Sequence, residues 1–143
     1  NGLNLLYLGD NGAYLLSFFI AIILIDLSNN IKILSPYYIV NLLWYPAYET
    51  LFSIIRKLKT KKSPLKPDNF HLHQLIYLFI KRKINHIPKI VNTISGITIN
   101  IFNFAVFFVA TLNYSNTKAQ IVILLFSLTI YNFMYLILKK KIR

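Results

Sequence analysis

The stretch VNTISGITINIFNFAVFFVATLNY, Val91 to Tyr114, runs for 24 residues without one charged side chain. A hydrocarbon core about 30 Å thick takes roughly 20 apolar residues of helix to cross. Backbone at that depth must satisfy its own hydrogen bonds, so the segment is read as a helix rather than a strand. Working outward, Ala119 to Leu138 and Tyr37 to Ile55 give two more segments of spanning length. Ala13 to Leu27 is shorter and needs its flanks, Gly12 and Ser28-Asn29, to complete a crossing. The predicted fold class is therefore all-α. Four transmembrane helices are expected at about 13–29, 37–55, 91–114 and 119–138, joined on one side by a basic loop over 56–89.

Composition agrees. The 143 residues are 56% hydrophobic and 14% charged, against about 25% charged in soluble domains. Cysteine is absent, which excludes disulfides and thiolate metal sites. The net charge of +12 is blocked rather than spread: ten of the sixteen Lys and Arg fall between Arg56 and Lys89, and four more in KKKIR at 139–143. Such blocks are loop charging of a membrane protein, not a nucleic-acid surface, and no nucleic-acid partner is expected. The positive-inside rule puts the 56–89 loop, the N-terminal residues and the C-terminal tail in the cytoplasm, with Lys32 and Lys118 opposite. Tyr37, Tyr38, Tyr114 and Tyr135 near span ends fit an aromatic belt. The chain starts NGLNLLYLGDNG, without Met or a leader pattern. It is expected to be the C-terminal part of a single, longer membrane domain.

Few polar residues interrupt the spans. Pro46 removes a backbone donor from the second, and Glu49 follows within a turn. An acid at membrane depth is costly and marks a functional position, unless it reaches water or Arg56 at the cytoplasmic end. Asp26, near the outer end of the first span, is read as structural. His86, in a polar connector, is given no role. Asn100 and Asn103 are read as hydrogen-bonding between helices, and the last two spans as packing.

The densest polar cluster is SPLKPDNFHLHQLIY, Ser63 to Tyr77. Pro67 and Asp68 read as a helix start with Asp68 as N-cap. Leu72, Leu75, Ile76 and Phe79 then form one apolar stripe of an amphipathic helix lying at the cytoplasmic interface. His71 falls in its first turn, where free N–H groups and the helix dipole favour anions. Lys66 precedes it, and Arg56 and Lys57 are near in sequence, so the local chemistry suits phosphate or diphosphate. It does not suit a chelated metal, because His71 and His73 at i and i+2 would diverge on a helix. The alternative is a basic amphipathic segment drawn to anionic lipid. At LGDNGAYLLSF, Leu8 to Phe18, Gly-Asp-Asn-Gly is good turn chemistry. Asp10 there would stand at the cytoplasmic mouth of the first span, where a lone carboxylate holds Mg²⁺ if substrate phosphates supply further ligands.

Taken in order, LGDNGAYLLSF, YPAYETLFSIIRK and SPLKPDNFHLHQLIY resemble the C-terminal half of the polyprenyl-phosphate N-acetylhexosamine-1-phosphate transferases, the undecaprenyl-phosphate N-acetylglucosamine-1-phosphate transferase-like family. The resemblance covers about Leu8 to Tyr77. It implies a multi-pass enzyme of the bacterial cytoplasmic membrane that initiates cell-envelope glycan synthesis. The substrates would be a UDP-N-acetylhexosamine and a polyprenyl phosphate, with Mg²⁺ as cofactor. It implies that Asp10, matching the family's Gly-Asp-x-Gly, is a metal ligand, and that His71 and His73, matching two positions of His-x-His-His, bind the diphosphate together with Arg56. Glu49, Gln74 and Lys66 would support the site. Gln74 stands where the family has a further His, and Glu49 where Asp is more familiar, which leaves the sugar and the pathway open. The family's paired aspartates would lie before Asn1, so these residues alone are not expected to catalyse transfer.

Two other readings compete. One is a non-catalytic polybasic membrane protein that binds anionic lipid or a partner, and whose binding follows the number of Lys and Arg. The other is part of a transporter, disfavoured because Asp26 and Glu49 lie near opposite faces.

Overall fold

The computed structural model describes residues 9–61, 63, 70–83 and 88–142. These form five helices: α1 (Gly9–Asn30), α2 (Pro36–Lys59), α3 (Leu72–Lys83), α4 (Pro88–Leu112) and α5 (Thr117–Ile142). Local chemistry sets several ends. Pro36 opens α2 and Pro88 opens α4, where a fixed φ and a missing N–H carry no penalty. Asn116 precedes α5 and accepts the Ala119 N–H through its side chain, an ordinary N-cap bond. At the end of α2, Thr60 N–H returns to Arg56 and Lys57 carbonyls, and Lys61 follows at φ 55°. That is the left-handed stop glycine usually provides.

Cross-helix bonds define the topology. Ser35 N–H donates to the Tyr114 carbonyl, and the Thr117 hydroxyl donates to Ser35 Oγ. The turns before α2 and before α5 therefore share one end. Asn41 pairs with Gln120, Glu49 with Tyr131 and Tyr48 with Asn132, so α2 and α5 run parallel, with α4 antiparallel to both. Helix α3 caps the opposite end, packed on α4 and α5. The basic runs at 56–61, 81–83 and 139–141 all lie at that end, as the charge pattern requires.

Three helices are long and apolar enough to cross a membrane: α1, α4 and α5. Helix α2 is long enough but is not in that set. It carries Asn41, Glu49, Ser53 and Lys57, and the polar groups of Asn41 and Glu49 bond to other helices. Helix α1 buries none of its residues, and Tyr14, Leu15, Phe18 and Ile23 stand exposed along it.

The core joins α2, α3, α4 and α5: Trp44, Leu72, Leu75, Ile76, Val106, Tyr131, Tyr135 and Leu138 are buried together. The α3 stripe is thus as periodic as expected but is buried against protein. Its start differs too. Phe70 and His71 are not helical, so α3 begins at Leu72 rather than at Asp68. Pro67, Asp68 and Lys66 lie outside the described residues, as does His86. The Gly9–Gly12 segment is the first turn of α1 instead of a free turn, with Gly9 at its start at φ 64°.

At the end away from α3, Gln120 is fully buried. Its amide donates to the Ala110 and Asn113 carbonyls, while Asn41 donates to both its side-chain and backbone oxygens. One side chain thereby ties α2, α4 and α5, the kind of interhelical polar bond apolar surroundings favour.

Candidate functional site

Glu49 is the centre of the site. It lies one turn beyond Pro46 on the α2 face turned to α5, with its side chain only 12% exposed. Oε2 accepts the Tyr131 hydroxyl at 2.8 Å. Oε1 accepts His71 Nδ1–H at 2.9 Å and the Leu72 N–H at 3.1 Å. Neither Arg56 nor water is needed to explain the acid: three donors from two other elements satisfy it. Around it, the Tyr48, Phe52 and Tyr135 rings pack against Tyr131, with Tyr48 edge-on at 5.0 Å and Phe52 at 5.4 Å. In such a low-dielectric setting a carboxylate is retained only when its hydrogen bonds are made.

The Leu72 N–H is the first donor of α3, so Glu49 supplies from another helix the anion that an N-terminus favours. His71 occupies the N-cap position, and Gln74 Oε1 reaches back to the His71 N–H at 3.3 Å. That is the return half of a capping box, with Gln at N3. Gln74 therefore has a structural role that any residue without a side-chain acceptor would lose.

Holding His71 off the helix changes its relation to His73. The two rings stack, with centroids 5.7 Å apart and planes at 16°. The divergence expected of i and i+2 on one helix does not occur, because only His73 is helical. The contact with Glu49 engages His71 through Nδ1, and Nε2 is its other functional atom. His73 faces outward on α3. Partial burial holds its pKa below the usual histidine value, outweighing the pull of Glu49, and His71 lowers it further.

Beside His73 opens a cleft of about 690 Å³ between α3 and α4, lined by Gln74, Tyr77, Asn92, Thr93, Gly96 and Asn100. Asn100, expected to bond between helices, instead faces this cleft; Asn103 Oδ1 is buried with no partner among the described residues. No Lys, Arg, Asp or Glu lines it: three amides, two hydroxyls and the His73 imidazole are set among apolar surface that includes Ile97. Sequence reasoning missed both this face of α4 and the α5 partners Tyr131, Asn132 and Gln120. The recurrence of Asn92, Gly96 and Asn100 at four-residue spacing was the available signal for the first.

Arg56 lies about two turns along the same face of α2 from Glu49. It donates to Ser53 Oγ at 3.2 Å and its guanidinium lies over the Phe70 ring at 5.7 Å, which places it next to His71 in the chain fold. Asp10 is exposed in the first turn of α1, and among the described residues no hydrogen bond joins it to the Glu49 cluster. Among the described residues no three His, Asp or Glu gather as a metal site. A single exposed carboxylate is a hard oxygen donor. It fits Mg²⁺ only as an ion that keeps waters and shares a ligand's phosphates.

No protein-family model matches the chain, and neither a curated protein nor a solved structure matches it.

Proposed function

We propose that the chain is part of a membrane transferase that moves an N-acetylhexosamine-1-phosphate from a UDP-sugar to a polyprenyl phosphate. The observation that carries this reading is the Glu49–His71 pair at the N-terminus of α3, with His73 stacked beside it. It is an imidazole cluster of fixed orientation at a helix start, on the strongly basic face of a membrane protein. Imidazoles suit phosphate oxygens, and they carry the reading here because Glu49 and Gln74 already take the N–H groups at the start of α3. Helix α2 is taken as the fourth span, and the α3 face as cytoplasmic, in a bacterial inner membrane.

In this reading a carrier phosphate oxygen attacks the β-phosphorus of the UDP-sugar. The new P–O bond forms as the bond to UMP breaks, and UMP leaves with the electron pair. His71, His73 and Arg56 bind and orient the diphosphate. Glu49 acts through His71 by fixing its ring, so it is a positioning residue; Gln74 does the same for the backbone at the helix start. The uncharged α3–α4 cleft adjoining His73 suits the sugar, whose groups are amide and hydroxyl. Asp10 would hold Mg²⁺, which when bound supplies positive charge to the phosphates as they rearrange.

The test is transfer of labelled sugar phosphate from UDP-N-acetylglucosamine to undecaprenyl phosphate in membranes carrying the full-length protein. His71→Ala and Asp10→Asn are expected to abolish it. Transfer at wild-type rate in both variants would remove the proposal and leave the reading as a non-catalytic polybasic membrane protein.

A further inference from the structure

Two lysine runs distant in sequence meet in the fold. Arg82 of α3 donates to the Lys141 and Ile142 carbonyls at 3.0 and 2.7 Å, clamping the end of α3 to the end of α5. It thereby occupies the negative end of the α5 dipole, which would otherwise help to balance the lysines there. Phe79 then takes an ammonium from each run, with Lys83 Nζ at 5.0 Å from its ring centroid and Lys141 Nζ at 5.3 Å. Lys139 Nζ lies over Tyr135 at 5.7 Å. The acids among the described residues are elsewhere: Asp10 and Asp26 on α1, and Glu49 enclosed by its three donors. Converging cations without a carboxylate repel one another until an anion joins them.

We propose that this junction of α3 and α5 is a binding seat for the phosphodiester headgroup of an anionic phospholipid, gripped by Lys83 and Lys141 across Phe79. The surroundings favour a lipid over a free phosphate. Helix α5 is apolar enough to cross a membrane, which puts its lysine-rich end at the depth of lipid phosphates. Within the two turns of α5 before the lysines, Leu136 and Phe133 are each 65% exposed, apolar surface at the depth of acyl chains. Anionic lipid attracts such residues with about 1 kcal/mol each. The seat is independent of the transferase reading and stands or falls without it.

The experiment is a thermal-unfolding titration of the full chain in neutral detergent with phosphatidylglycerol, phosphatidylcholine or inorganic phosphate. A ligand of the folded state raises the midpoint as it saturates. Phosphatidylglycerol is expected to raise it and the other two are not. Lys83→Gln with Lys141→Gln is expected to weaken the apparent affinity on the order of thirtyfold, from two lost lysine contributions. Lys32→Gln with Lys118→Gln removes the same charge from the opposite end and is expected to change affinity less than threefold. Lys83→Arg with Lys141→Arg keeps the cations and is expected to retain binding, which separates loss of the seat from loss of the fold. Equal weakening by the two Gln pairs would overturn the proposal in favour of net charge. So would stabilisation by inorganic phosphate equal to that by phosphatidylglycerol, or no response to phosphatidylglycerol.

Discussion

The Tyr131 hydroxyl donates to Glu49 Oε2 at 2.8 Å, across the seam where α2 and α5 run parallel. Through the other oxygen, the same carboxylate holds His71 and the first N–H of α3. One acid thus fixes where the short helix α3 sits against α2 and α5, and which way its cap histidine turns. Replacing Glu49 by Ala would leave three donors without their acceptor. With each such group worth about 1–3 kcal/mol when buried, and His71 partly exposed, the expected loss is about 3 kcal/mol. It would be read as a lowered unfolding midpoint in detergent. Glu49→Gln keeps the shape and can still accept one bond, so it should cost less stability while impairing sugar-phosphate transfer strongly.

Tyr131→Phe isolates one arm of that network. The ring contacts with Tyr48 and Phe52 remain, and Glu49 keeps His71 and Leu72. A loss of about 1 kcal/mol is expected, with transfer reduced less than in Glu49→Gln. Thermal unfolding and a transfer assay on the same preparations would check both halves.

His73 gives a dependence on pH. Its folded pKa lies below the usual 6.5, first because of partial burial and then because of His71, with Glu49 opposing. The unfolded chain therefore binds more protons between that lowered value and 6.5, and stability rises with pH there. The stabilisation is fully present above about pH 6.5 and is lost as the pH falls through the unfolded value towards the folded one. The ring is exposed, so the effect is small. Unfolding midpoints from pH 7.5 to 5 should fall less steeply for His73→Gln than for the wild type.

Gln120 offers a control far from the proposed chemistry. Gln120→Ala removes three side-chain hydrogen bonds that tie α2, α4 and α5, while the Asn41 amide keeps the backbone carbonyl of residue 120 and the Ala110 and Asn113 carbonyls keep the Asn113 and Asn116 N–H groups. The expected cost is about 2–4 kcal/mol. Below its lowered midpoint the variant should transfer sugar phosphate at near wild-type rate, whereas a variant of Glu49 should not.

The sequence made α4 and α5 legible because uncharged length is a direct physical signal of a membrane helix, whereas α1, with Asp26 near its end, was readable only with its flanks. It also made the common end of the basic runs legible, since connectivity and charge agree there. The α3 stripe was readable by its period, but its start was not. Pro67-Asp68 is sound capping chemistry, yet the helix begins at Leu72, where Glu49 of another helix and Gln74 satisfy the first donors. A cap supplied across 23 positions leaves no local trace. The same holds for Tyr131, one tyrosine among ten, and for Gln120. Their roles exist only once α2 and α5 lie side by side. His71 and His73 were identified as a pair from the motif, but their stacking depended on His71 lying outside the helix.

The most direct test of the account is transfer to undecaprenyl phosphate by the full-length protein, with Glu49→Gln and His71→Ala measured against wild type in the same membranes and with Mg²⁺ present or chelated. The account predicts Mg²⁺-dependent release of UMP matched by sugar-diphosphate lipid in the wild type, with both products lost in His71→Ala and strongly reduced in Glu49→Gln. Wild-type transfer by both variants, with each folded by its unfolding midpoint, would contradict it.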